Sequence, residues 1–447
     1  MNPILERRRT WLDANPEIFQ STVNDLEDLG YTPLFRTAQR KAFDIFGIEE
    51  DVSPPRHTSY RSRDRRIFDA EAFTWTESKA ILLAAIGSLK EKGLFLEIGF
   101  AGDKSERTKL EDFQSAITNI IDNTKLDTEW EIIQATSRGF DGLLKDKKKN
   151  CMVATEIPEE HFSVSAVLED KAVRDLATLV KRAGGILAAD IKDATEKKQS
   201  QEALNSLTSL GLLSQEYVVI CRNTSRQTNR VKTKEAIEEM EKLGVLCSCG
   251  RPISEERIEK LYAPTNFMSK MLNQSYWMTV RLVHSLMEQG ISRDRILLNL
   301  HDGPEEIDAF ADVDGKLLMF ELKDSEFSMG HAYPFGGRIG LYQPYSAIVV
   351  STDGVSPDVK DYFEKVEPDS EIIYIGNLKS LDADIGKTVS EVRAVAIGQM
   401  ISYFTQTSFQ IPPPPLLLAK KLDIDLRNIS FRGVRRGWMG FESEWYM

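Results

Sequence analysis

The stretch EEIDAFADVDGKLLMFELKD, residues 305–324, carries seven acidic side chains inside two runs that otherwise read as strands. A buried charge without a partner is costly or becomes neutral through its pKa, so acids at mid-strand need a reason. Asp314-Gly315 between the runs is a strong signal for a two-residue type I′ turn, because both central residues need positive φ. That turn fixes the pairing: Val313 faces Lys316, Asp308 faces Glu321 and Glu306 faces Lys323. With side chains alternating at period two, these last four share one side of the hairpin. The other side would carry Ile307, Ala309, Ala311, Leu318, Phe320 and Leu322, an apolar face fit for a core.

Two opposed carboxylates with Cβ atoms about 5 Å apart repel, and a divalent cation between them removes the penalty. Oxygen ligands from Asp308, Glu321 and the carbonyl of Leu322 suit Mg²⁺ or Mn²⁺. Lys323 would lie beside a bound water, to orient it, assist its deprotonation or stabilise phosphorane charge, with Glu306 tuning Lys323. The bland alternative is a surface hairpin with an ordinary Glu306–Lys323 ion pair, which leaves the opposed acids unexplained.

EEIDAF followed by MFELKD resembles the PD-(D/E)xK, or restriction-endonuclease-like, nuclease superfamily. Asp308 matches the first acidic position and Glu321-Leu322-Lys323 the E-x-K, while Ile307 stands where the literal motif has proline. The resemblance spans about 275–376 and implies metal-dependent phosphodiester hydrolysis, with DNA as substrate and RNA not excluded. It also implies that an acid on the first helix joins the metal shell, for which Glu288 is the candidate. His331, Tyr333 and Arg338 in SMGHAYPFGGR, expected as a loop, could reach a scissile phosphate; a lone loop histidine is more often structural.

A second constellation is CRNT at 221–224 and CSCGRP at 247–252. Zinc ribbons use four soft ligands in paired knuckles, but here Thr224 replaces a cysteine and the second knuckle is Cys-x-Cys. Cys221, Cys247 and Cys249 therefore hold Zn²⁺ only if another residue completes the site. A metal-free remnant with reduced, partly buried thiols is the preferred reading.

The elements that position these groups divide into four segments of a multidomain α/β chain. Residues 1–165 read as a mixed α/β unit with no chemical constellation, having a helix at 77–93 and strands in LFLEIGFAG, EWEIIQATS, FDGLLKD and NCMVATEI. Residues 166–262 give two helices, the second at 200–210, then the strand EYVVIC, and resemble a winged helix-turn-helix with Gln201, Asn205 and Ser206 available to a groove. Residues 263–410 open on a helix at 275–290 and continue with strands at 347–352 and 371–376, an α/β core with a mixed sheet. Residues 411–447 comprise a proline-rich linker and a tail with Arg432, Arg435, Arg436, Trp438, Phe441, Trp445 and Tyr446, expected to dock on the chain's own body.

At 447 residues, 41% hydrophobic and 28% charged, the composition is that of a globular protein. No apolar run is long enough to span a bilayer, so no membrane partner and a cytoplasmic location are expected. Four cysteines exclude a disulfide scaffold, and a net charge of -12 excludes indiscriminate coating of nucleic acid. Local basic tracks at 56–66, 145–149 and 221–234 remain, the last supplying Arg222, Arg226 and Arg230. The reading is a nuclease of restriction, phage defence or repair, whose cleavage a protein partner or second copy could control. The rival is a non-enzymatic sensor or scaffold that uses a nuclease-like fold.

Overall fold

The computed structural model describes residues 3–37, 40–41, 65–75, 78–122, 129–133, 135–146, 150–194, 197–302 and 305–405. The fold is mixed α/β, with three sheets among the described residues. The basic track at 56–64, the end of the track at 147–149 and the segment 411–447 lie outside the described residues.

The first sheet contains β1 (Pro3–Leu12), β2 (Thr32–Pro33), β3 (Arg65–Thr74), β4 (Ile81–Leu89), β5 (Gly93–Asp103) and β6 (Glu131–Ile133), in the antiparallel order β2-β3-β4-β5-β1-β6. Helices α1 (Ile18–Asp28) and α2 (Thr108–Asp122) cover one face through Phe19, Val23, Leu26, Phe113 and Ile117. The expected helix at 77–93 is therefore strand β4. Its residues Ile81 to Gly87 are buried, and a strand covered on both faces reads as an unbroken apolar run that helical spacing also fits. The expected strand FDGLLKD is also overturned: it lies in helix α3 (Arg138–Lys145), started by the Ser137 side chain accepting from Phe140 N–H at 3.1 Å.

Strand β7 (Asn150–Val153), read with the N-terminal unit, instead pairs as the edge of the third sheet. After α4 (Glu160–Val167), helix α5 (Lys171–Ala183) is capped by Asp170 and ends on Gly184 at φ 69°. Next come β8 (Ile186–Leu187), α6 (Ala188–Ala194), α7 (Lys197–Ser209), β9 (Leu213–Ile220), β10 (Gln227–Val231), α8 (Lys234–Lys242) and β11 (Arg257–Pro264). The second sheet, β10-β9-β11-β8, is antiparallel.

Helices α9 (Asn266–Leu272) and α10 (Tyr276–Glu288) lead into the third sheet. Its remaining elements are β12 (Ile296–Asp302), β13 (Glu305–Val313), β14 (Lys316–Lys323), α11 (Met329–Tyr342), β15 (Ser346–Ser351), α12 (Pro357–Val366), β16 (Glu371–Ile375) and α13 (Leu381–Thr405). The order is β16-β15-β14-β13-β12-β7, with β14, β15 and β16 parallel and the other pairs antiparallel. One face packs on Trp277, Val280 and Leu286 of α10 and on Val389 and Val392 of α13; the other packs on α3, α11 and α12 through Phe140, Phe335 and Phe363. Helix α13 continues to Ile397, which is buried with Ile67, Leu83 and Phe95 on the outer face of the first sheet. Among the described residues no helix is long and apolar enough to cross a membrane.

Candidate functional site

The hairpin forms as its turn dictates. Asp314 and Gly315 have φ 49° and 85°, and the ladder runs from Val313↔Lys316 to Ala309↔Phe320. The regular pairs stop one step short of Asp308 and Glu321. There the Asp308 carboxylate takes over, accepting a hydrogen bond from Leu322 N–H at 2.6 Å. On the other flank Asn299, opposite Asp308, sits at φ 49° between the pairs Leu298↔Ala309 and Leu300↔Ile307.

This kink corrects one expectation about the faces. Ile307 does not join Ala309 and Ala311 but packs with Phe310, Leu317 and Met319 on the α11 side, because the chain loses its strict alternation at Asp308. Glu306 does not face Lys323 either. It pairs across β12 with His301 at 4.0 Å, whereas Lys323 Nζ lies 2.9 Å from Glu321 Oε1.

Four side chains converge on the buried Glu321. Lys323 holds one oxygen and Arg338 Nη1 the other, at 2.6 Å. Asp308 is close enough for its pKa to feel the charge of Glu321: burial first and Glu321 second push it up to about 7, against the opposing pull of Leu322 N–H and Lys323, with Glu306 adding a smaller upward push. His331 also lies within electrostatic reach, its pKa lowered by burial and by Lys323. Its Nδ1 accepts from Ser328 N–H at 3.1 Å, which assigns the proton of the neutral ring to Nε2.

His331, Tyr333 and Arg338 stand on helix α11, not on the expected loop. Four glycines and Pro334 disguise that helix in the sequence, but it is capped by Ser328 and anchored by Ala332, Phe335 and Ile339. Tyr333 points outward, 59% exposed, against Tyr362.

The donor set is all oxygen: two carboxylates and the backbone of β14. Asp308, with its charge disfavoured by burial and by a second acid, and Glu321, with lone pairs beyond those used by Lys323 and Arg338, could hold a hard divalent cation. Glu288 does not belong to this group. It lines a cleft of about 450 Å³ with Arg295, Asp312, Asp314 and Arg393, at the turn end of the hairpin. Six strand residues separate that end from Asp308, roughly 20 Å. Asp312 and Asp314 are consumed there by Arg295 at 3.2 Å and Arg393 at 3.1 Å, which accounts for two of the hairpin's seven acids.

Asp324, next to Lys323, was missed from sequence. It receives Arg174 of α5 at 3.1 Å and the Trp277 indole N–H at 3.3 Å, tying the end of β14 to two helices. An acid beside the E-x-K was the available signal.

The cysteines also come together, with a fourth group that the spacing hid. One ligand atom each from Cys221, Cys247, Cys249 and Glu256 lie within 4.8 Å of one another. The Thr224 hydroxyl, followed by backbone N–H groups of Thr224 and Asn223, lowers the Cys221 pKa to about 7. Cys249 has an Arg251 N–H pulling downward, but Glu256, burial and the neighbouring sulfurs together push it up to about 12.

Of the remaining candidates, Gln201 is exposed on α7 and bonded to Asn205, and Ser206 is partly buried beside them. Arg222 and Arg226 project outward at the β9–β10 turn, and Arg230 is held by Glu216 and the Gly184 carbonyl. No family model matches the chain, and no curated protein does. Among solved structures, protein VC1899 from Vibrio cholerae aligns at 12% identity with a TM-score of 0.37, over 60% of this chain and 64% of that one. A likeness of that size defines no family for the chain.

Proposed function

We propose that the chain is a divalent-metal-dependent nuclease of the PD-(D/E)xK kind that hydrolyses DNA, with residues 263–405 as its catalytic core. The observation that carries the reading is the hairpin end where Asp308 and Glu321 couple electrostatically beside the Lys323 ammonium. Antiparallel β12–β13–β14 followed by parallel β15 and β16 is the order such a core requires. Helices α5 to α7 with β9 and β11 fit a winged-helix-like module upstream, with Gln201, Asn205, Arg222 and Arg226 exposed where they could meet nucleic acid. A place in restriction, phage defence or repair rests on architectural analogy.

Asp308, Glu321 and the Leu322 carbonyl would hold Mg²⁺ or Mn²⁺, whose chemistry when bound is Lewis-acid stabilisation of phosphoryl charge and activation of water. Lys323 is fixed by Glu321, so its ammonium can orient the attacking water and oppose the charge that builds on the phosphorane. His331, neutral at pH 7 with its proton on Nε2, can donate to a non-bridging phosphate oxygen. Arg338 positions Glu321 from α11, and Glu306 adds negative potential at the rim.

The test is incubation of supercoiled plasmid, linear duplex, single-stranded DNA and RNA with Mg²⁺ or Mn²⁺, comparing wild type with Lys323→Ala. Metal-dependent cleavage that the substitution abolishes supports the reading. Cleavage that survives it removes the mechanism, and binding without cleavage under either ion favours the scaffold.

A further inference from the structure

We infer that Cys221, Cys247, Cys249 and Glu256 form a closed structural Zn²⁺ site that fastens the tip of the second sheet. A tetrahedral site with Zn–S near 2.3 Å places its sulfurs about 3.8 Å apart, so four ligand atoms within 4.8 Å are already gathered. Cys249 Sγ lies 3.1 Å from Glu256 Oε1, and Cys221 and Cys247 are buried.

The backbone around the sulfurs is built for such a site. At the first turn, Ser225 N–H reaches the Cys221 carbonyl at 2.8 Å and Cys221 N–H the Arg226 carbonyl at 2.9 Å, with Ser225 at φ 54°. This winds Asn223 and Thr224 so that their N–H groups face the Cys221 sulfur. At the second, Gly250 N–H reaches the Cys247 carbonyl at 2.8 Å and Cys247 N–H the Arg251 carbonyl at 2.7 Å, with Gly250 at φ 87°. Glu256 is fixed by Arg222 N–H at 2.6 Å, which joins the two turns.

Four protein ligands leave no open position, so the site is structural. The segment needs it. Beyond the shared sheet, β10, α8 and the loop to 256 rest on a small core in which Val219, Ile237 and Ile253 are buried and Tyr217, Val231, Met240, Val245 and Ile258 only partly so, while Leu243 is 81% and Leu246 58% exposed. So thin a core is ordinarily secured by a metal or a disulfide.

The experiment uses the full chain, purified under reducing conditions, with zinc measured after dialysis against metal-free buffer without chelator, and Co²⁺ added back to protein stripped with EDTA. The expected result is one zinc per chain that survives dialysis and a Co²⁺ spectrum with tetrahedral bands and thiolate charge transfer. Glu256→Cys should keep the metal and raise the charge-transfer intensity by about one-third, as three thiolates become four. Glu256→Ala should lower affinity at least about tenfold, and the metal-stripped chain should be cut by protease within 222–256. Wild type that folds in zinc-supplemented cells yet carries no zinc would overturn the site. So would zinc content unchanged by the double substitution Cys247→Ser and Cys249→Ser, or an octahedral Co²⁺ spectrum without charge transfer.

Discussion

Asp308 bears the largest electrostatic conflict in the proposed metal-binding group. Its pKa near 7 exceeds the ordinary value of 3.8, so between those limits the folded chain holds a proton that the unfolded chain has released. Stability from this group is therefore full below pH 4 and lost as pH rises to about 7. Metal-free Asp308→Asn should accordingly be more stable than wild type at pH 7.5, by about 1–2 kcal/mol after solvent screening of a partly exposed group, and equal to it near pH 4. Thermal melts in EDTA at the two pH values check this; equal melting at pH 7.5 contradicts it. Lys323→Ala should lower the cleavage rate about 10²–10³-fold with little change in Tm, since its Nζ is partly exposed and its loss leaves Glu321 paired with Arg338. These residues were legible because one turn sets their register. Glu256 was not, since a carboxylate far along the chain from Cys221 carries no spacing signal, and the mispairing of Glu306 came from a kink that only the positive φ of Asn299 reveals.

At the scale of elements, the hairpin depends on its turn. Gly315 has φ 85°, and a Cβ there would approach Ala135 Cβ to 3.3 Å, so Gly315→Ala should cost about 1–2 kcal/mol in urea unfolding. A tighter constraint lies in the first sheet. A Cβ on Gly102 would sit 2.2 Å from Ala80 Cβ, and Gly102→Ala should destabilise by about 1–3 kcal/mol, read as a drop in Tm of the full chain. The strongly alternating or turn-bounded strands β5, β14, β15 and β16 were readable. Strand β4 was not, because burial on both faces erases its period, and α11 was hidden by glycines and Pro334 whose cost is met by tertiary packing of Phe335 and Ile339.

In the whole molecule the helices around the third sheet are tied together by side chains that the sequence could not pair. Arg281 of α10 grips Glu169 and Asp382, and Asp324 joins β14 to Arg174 and Trp277. Asp324→Ala should leave the buried Arg174 without its carboxylate, though still bonded to the Leu168 and Glu169 carbonyls, cost about 1–3 kcal/mol and lower kcat more than it raises KM, as Lys323 loses its neighbour's anchor. The α/β character and the hairpin were legible locally, but membership in sheets was not: β7 follows the first sheet in sequence and completes the third, a choice made by long-range pairing. The most direct test of the account is anomalous scattering from crystals soaked in Mn²⁺. A peak bounded by Asp308 and Glu321, lost in Asp308→Asn, is the predicted result; full-occupancy soaks with no peak at that pair would contradict it.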